Sequence, residues 1–117
     1  MSIEAAIKQC YTEKSKKGFV YKLPKNFPAF NGHFEGYPLL PAVCHISFCA
    51  DAAGRLTGKK LQLGSIKRAK FLSPSLPETI IEVRLTLRPD GFYSAELVNP
   101  ADNKVLSRLI LNFTEIA

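Results

Sequence analysis

From Pro41 to Gly54 the chain reads PAVCHISFCADAAG, and between Ala42 and Ala53 only His45, Ser47 and Asp51 carry distinctly polar side chains. Proline suits the first helical position, because the N–H it lacks would have no partner there and its φ is already helical. A helix that is apolar round most of its circumference cannot lie on a surface with one stripe turned inward. Other structure has to wrap it.

The flanking segments are read as that wrapping. Ser2 to Tyr11 predicts a short helix capped by Ser2, with Ala5, Ala6, Ile7 and Cys10 as its apolar stripe. Lys14 to Lys17 reads as a solvated linker, Gly18 as a turn into a first strand over Phe19–Leu23, and Pro24 and Pro28 as its end. Phe27 and Phe30 are expected to pin the following loop to the core. Beyond the helix, which Gly54 and Gly58 close, Leu61–Leu72 predicts a strand that alternates unevenly and carries a bulge at Gly64. Thr79–Leu87 predicts another, with Ile81, Val83, Leu85 and Leu87 on one face and Glu82, Arg84 and Thr86 on the other. Arg88-Pro89-Asp90-Gly91 signals a tight hairpin into Phe92–Val98, and Asn99 to Asn103 a turn into Lys104–Thr114. One buried helix followed by an antiparallel meander is an α+β pattern, and 117 residues fit one domain, with residues 1–17 as helix and linker.

Several function classes are set aside on composition. No apolar run approaches the roughly 20 residues that span a bilayer, and the N-terminus has no apolar signal core, so a cytoplasmic protein is expected. The three cysteines, Cys10, Cys44 and Cys49, show neither disulfide nor zinc spacing, which points to reduced thiols and no metal or other cofactor. A net charge of +6 favours an acidic partner, and serves equally as a solvated basic surface. Lys67-Arg68-Ala69-Lys70-Phe71 lacks the interleaved aromatics of a nucleic-acid platform, and reads better as a docking surface formed by Lys67, Arg68 and Lys70.

The stretch GHFEGYPLLPAV, Gly32 to Val43, resembles the GHFPGxPxxPGV signature of the hot-dog-fold 3-hydroxyacyl-acyl-carrier-protein dehydratases of the FabZ and FabA type. LPKNFPAFNGHF is similar more particularly to the small dehydratase-like proteins of aryl polyene and related acyl pathways. GSIKRAKFLSPSLPETIIEVRLTL resembles the family's second block, so the likeness runs from about Phe19 to Phe113. It implies a curved sheet round the central helix, sheets paired edge to edge in a homodimer or higher even oligomer, and an acyl carrier protein as partner.

The resemblance also implies roles. His33 would be the base that removes the proton α to a thioester carbonyl, for which a group of near-neutral pKa is suited. The backbone N–H groups of Ala42 and Val43, at the helix start, would receive the enolate oxygen. Phe34, Tyr37, Leu39 and Leu40 would line the acyl channel. The chain departs from the family at Ala42, where glycine is usual, and at Ser47, fourteen residues after His33, where the family carries the Glu or Asp that protonates the leaving hydroxyl. An unaided serine is a poor acid. Asp51, four residues on and leaning toward the helix N-terminus, is within reach of Ser47 or of a water beside it; alternatively it is a structural polar group that bonds a dimer partner. His45 and Cys49, also four apart, fit core or interface packing better than a thiolate pair or a metal site. Three readings stand: a dehydratase using His33 with Asp51 or a water held by Ser47 and Asp51, a thioesterase of the same fold, and a non-catalytic acyl- or carrier-binding subunit.

Overall fold

The computed structural model describes residues 2–28 and 40–116. Helix α1 (Ile3–Cys10) leads into a hairpin of β1 (Tyr11–Lys14) and β2 (Phe19–Lys22). Helix α2 (Ala42–Thr57) follows, and then β3 (Leu61–Phe71), β4 (Ile80–Leu87), β5 (Tyr93–Asn99) and β6 (Lys104–Glu115). The strands form one six-stranded sheet in the order β1-β2-β4-β5-β6-β3, antiparallel at every pairing, with α2 across its inner face. This is the hot-dog arrangement expected of the sequence.

Local chemistry sets the boundaries. The Ser2 side chain accepts a hydrogen bond from the Ala5 N–H at 3.1 Å and caps α1. Pro41 is the N-cap of α2, one position earlier than expected, and its carbonyl accepts from the Cys44 N–H at 3.0 Å. Gly58, at φ 73°, closes the helix in the left-handed region, its N–H donating to the Gly54 carbonyl at 2.8 Å. Cys44, Phe48, Cys49 and Ala52 of α2 lie in one core with Tyr21, Phe27, Ile81, Val83, Leu97 and Leu109. Fully burying a side chain such as Phe48 contributes about 1.5–3 kcal/mol.

One expectation is corrected. Residues 14–17 are not a linker: Lys14 ends β1 and residues 15–17 lie in the turn of the β1–β2 hairpin, where Ser15 Oγ accepts from the Gly18 N–H at 3.0 Å. That turn reaches β4, for Ser15 Oγ also donates to Glu82 at 2.8 Å and Arg84 pairs with the same carboxylate at 2.6 Å. Glu82 is therefore buried although it lies on the face opposite Ile81 and Val83, while Leu87, which shares the face of Ile81 and Val83, is exposed. Gly18 is packed so closely on β4 that an added Cβ would collide with the Val83 carbonyl.

The uneven alternation of β3 has a physical cause. Its register against β6 shifts twice, between Leu63 and Ser65 and between Ile66 and Arg68, and each bulge adds one residue. At the first, Asn112 Oδ1 accepts from the Ser65 N–H at 2.6 Å and from its hydroxyl at 2.9 Å. Spacings of three thereby return to the same face. Leu63, Ile66, Ala69 and Phe71 pair with Phe113, Leu111, Leu109 and Ser107, a single row on the inner face. Yet β3 is an edge strand, and Leu63, Ile66 and Phe71 remain 39%, 39% and 46% exposed.

His45 packs in the core, as expected. Its Nδ1 lies 2.8 Å from Ser107 Oγ, its ring meets Phe71 edge-on at 5.2 Å, and burial pushes its pKa from 6.5 down to about 4.

Two outcomes follow from these contacts. Gly18→Ala should destabilise the fold by about 1–3 kcal/mol, because the obstacle is backbone and cannot swing away; thermal unfolding reads this as a lowered Tm. Below pH 6.5 the unfolded chain binds a proton on residue 45 that the folded chain refuses until about pH 4. Stability should accordingly fall across that window by up to about 3 kcal/mol, and a His45→Gln variant should show a flatter dependence in urea titrations at successive pH values.

Candidate functional site

The long faces of α2 meet two separate cavities, because residues about two apart on a helix point nearly opposite ways. One face carries Val43, Ile46, Ser47, Ala50 and Asp51 and borders a groove of about 710 Å³ between α1, α2 and the start of β3. Val43, 63% exposed, stands at its open end. The other face carries His45 and borders a cavity of about 390 Å³ beside Phe71 and the following loop.

Ser47 and Asp51 thus share one groove, but no hydrogen bond joins them among the described residues. Asp51 is turned toward the N-terminal part of the chain. Its Oδ2 accepts from the Tyr21 hydroxyl at 2.6 Å and from Arg55 Nε at 2.8 Å, and Lys8 Nζ lies 3.8 Å from Oδ1. Arg55 also lies 3.8 Å over the ring of Tyr11. Burial, reinforced by the bond to Asp51, holds the Tyr21 hydroxyl well above its usual pKa range, so it is a hydrogen-bond donor at neutral pH. Asp51 is therefore a junction of α1, β2 and α2, with the direct hydrogen bonds on one oxygen. Sequence signals existed for both partners. Arg55 follows Asp51 by four residues, and a tyrosine inside an apolar strand needs a partner for its hydroxyl.

Ala42 and Val43 occupy the first turn of α2, where backbone N–H groups have no partner within the helix. Ala42 borders the cavity near His45 and Val43 the groove near Ser47, so the helix start stands between the two. Leu40 is buried, donates its N–H to the Ser75 carbonyl at 3.0 Å, and lines the His45 cavity rather than the groove. His33, Phe34, Tyr37 and Leu39 lie outside the described residues, as does Phe30.

On β3, Lys67 forms an exposed ion pair with Asp90 at 3.1 Å and lies 4.6 Å over the ring of Phe92, whereas Arg68 and Lys70 are exposed with no ion pair among the described residues. Cys10, Cys44 and Cys49 are buried, and burial pushes their thiols up to about 11, 11 and 12, which makes them poor nucleophiles. No hydrogen bond joins Cys49 to His45. Among the described residues no three His, Cys, Asp or Glu side chains converge as metal ligands, and no helix is long and apolar enough to cross a membrane.

The chain is similar to 3-hydroxyacyl-acyl-carrier-protein dehydratases FabZ from Roseobacter denitrificans, 34% identical over 73 residues, and from Clostridium acetobutylicum, 30% identical over 83. These alignments cover 54% and 64% of the chain, and 48% and 59% of those relatives. Among solved structures, the dehydratase heterocomplex ApeI:P from Xenorhabdus doucetiae matches 90% of this chain and 94% of that one, with a TM-score of 0.70 at 18% identity. The E. coli PaaI protein of the phenylacetic acid degradation operon matches 97% and 89%, with a TM-score of 0.61 at 14% identity. At such identities these two likenesses establish the fold. The family model ApeI-like, ApeI dehydratase, matches residues 9–107, and by that match over most of its length the chain belongs to the ApeI-like dehydratase family.

Proposed function

We propose that this protein is a (3R)-3-hydroxyacyl thioester dehydratase of fatty acid or related polyene biosynthesis, acting as a homodimer on substrate carried by an acyl carrier protein. The observation that carries the reading is the unfinished inner face beside α2. Leu63, Ile66 and Phe71 line that side of an eleven-residue edge strand and Val43 stands on the helix, all of them exposed in the single chain. A second copy pairing β3 to β3 would continue the sheet, cover the edge and close the Ser47 groove into an apolar channel. Phe34, Tyr37 and Leu39 are assigned to that channel by the family signature, whereas Leu40, which the signature gives the same role, borders the cavity on the His45 side.

In this reading His33 removes the α-proton, and the amides of Ala42 and Val43 stabilise the enolate oxygen. The β-hydroxyl then leaves as water, taking a proton from a water held between Ser47 and the Oδ1 of Asp51, and the hydroxide so formed recovers the proton that His33 removed. This geometry is favoured because Tyr21 and Arg55 occupy only Oδ2. Lys67, Arg68 and Lys70 supply a positive surface for an acidic carrier, with the exposed Lys67–Asp90 pair exchanged at little cost.

A second reading has its own support. Ser47 stands where the family places its acid, Asp51 is engaged elsewhere, and the similar ApeI:P structure is a heterocomplex. On that reading the chain is a non-catalytic subunit that holds acyl carrier protein or completes another chain's site.

The deciding assay follows enoyl absorbance and free thiol from a 3-hydroxyacyl thioester. Elimination without thiol release is expected, lowered about 10²–10⁴-fold by His33→Ala and by Asp51→Asn, and preserved or raised by Ser47→Glu. Tyr21→Phe removes one support of Asp51 without touching a reacting group, and should lower Tm while leaving turnover within about threefold. Thiol release instead would identify a thioesterase, and inactivity of the folded wild type would give first place to the subunit reading. Light scattering should find twice the 13.0 kDa chain mass. Arg68→Glu with Lys70→Glu should raise KM for the carrier-bound substrate and not for a short pantetheine thioester.

A further inference from the structure

The Ser47 groove has apolar walls and a basic end. Ile46, Ala50, Leu61 and Leu63 supply the walls. Toward the C-terminal end of α2 the lining holds Lys8, Arg55, Lys59 and Lys60 against Glu4 and Asp51, so four basic side chains outnumber two acidic ones. Positive charge beyond a helix end is ordinary complement to its dipole. Arg55 is what sets this end apart. Its Nε donates to Asp51 Oδ2 at 2.8 Å and its guanidinium lies 3.8 Å over the Tyr11 ring, yet neither Nη makes a hydrogen bond among the described residues. A guanidinium fixed in this way needs little further ordering to grip a planar carboxylate through its free N–H groups.

The place of this cluster decides which part of a substrate meets it. The amides of Ala42 and Val43 stand at the other end of α2, and Arg55 comes eight residues after Ser47, about 12 Å further along the axis. Strand β3 runs the opposite way, for Leu61 to Leu63 border the groove whereas Phe71 meets His45 near the helix start. Lys67, Arg68 and Lys70, given above to the carrier, thus lie toward the thioester end, and the second basic cluster lies away from it.

Taking the direction of the chain from the dehydratase reading, on which this inference rests, we propose that the groove selects a medium-length acyl group whose far end carries a carboxylate. Arg55 is the specificity-determining residue, with Lys59 and Lys60 beside it. With the thioester oxygen at the helix start and the β-carbon beside Ser47, the remaining carbons cross the apolar walls and end at Arg55. That side chain leans back along the helix to reach Asp51, so about eight to ten carbons in all span the distance. A methyl terminus would leave the guanidinium against hydrocarbon, and an ammonium terminus would meet like charge.

Calorimetric titration of the intact protein with saturated pantetheine thioesters tests this without turnover, because they lack the β-hydroxyl. The carboxylate-ended chain should bind roughly tenfold more tightly than the carboxamide of equal length, with a narrower margin in high salt. Arg55→Gln keeps an N–H for Asp51 at the place of Nε, removes both Nη groups, and should abolish the preference while carboxamide binding stays unchanged. Lys59→Gln with Lys60→Gln should lower the preference roughly threefold. This pair decides the matter if Arg55→Gln fails to fold, since neither lysine side chain has a hydrogen bond or ion pair to lose among the described residues. Preference for the carboxylate in a protein that eliminates no water supports the site and removes the dehydratase reading alone. Elimination with no preference between the two termini overturns this inference alone, as does failure of either chain to bind. Variants that weaken phosphopantetheine thioesters alike, whatever their terminus, would give the cluster to the carrier's phosphate and overturn it too.

Discussion

The fold depends on covering α2. Cys44, Phe48, Cys49 and Ala52 line the part of the helix that meets the sheet, and Tyr21 and Phe27 close over Phe48 with ring centroids at 5.0 and 6.3 Å. The hydrophobic gain is non-directional and leaves the register of helix on sheet open. Polar contacts specify it: the imidazole of His45 on Ser107 of β6, and the carboxylate of Asp51 on Tyr21 of β2. These two bonds tie the helix to strands in different parts of the sheet, on opposite sides of the same core. A polar group inside an apolar helix therefore has structural value here before any chemistry is considered.

How much was legible in the sequence varied with the range of the interaction concerned. The cap of α1, the hairpin at Gly91 and the bulge beside Gly64 are local and are present where the residues place them. Tyr11–Lys14 was missed as a strand because YTEK has little apolar alternation and its partner among the described residues is the equally short β2. Alternation along β4 separates the face of Glu82 from that of Ile81 but cannot reveal that a hairpin turn far earlier in the chain covers Glu82. For the candidate site, the shared side of Ser47 and Asp51 follows from helical spacing, whereas the direction of the Asp51 carboxylate does not. A helix with both Tyr21 and Ser47 as competitors leaves that choice to tertiary packing.

The two departures from the dehydratase signature stand on different sides of the same helix. Ala42, at the start of α2, borders the cavity beside His45, and Ser47 borders the groove on the other side. Changes at the helix start alter the approach to its free amides, and a serine in the groove changes the available proton donors without removing the space around them. The surrounding scaffold is unaffected by any of these choices, because the core residues Cys44, Phe48, Cys49 and Ala52 occupy other positions of the helix. The fold can thus be held constant while the chemistry along one helix varies.

The three buried thiols make the molecule a recorder of its own opening. With Cys10 on α1 and Cys44 and Cys49 on α2, and all three held as neutral thiols by desolvation, an alkylating reagent finds no ready nucleophile in the closed state. Each cysteine reacts only when its own surroundings part, so the order of labelling separates lifting of the N-terminal helix from rupture of the central one. Covalent tagging followed by mass measurement would then read local stability in an unmodified chain.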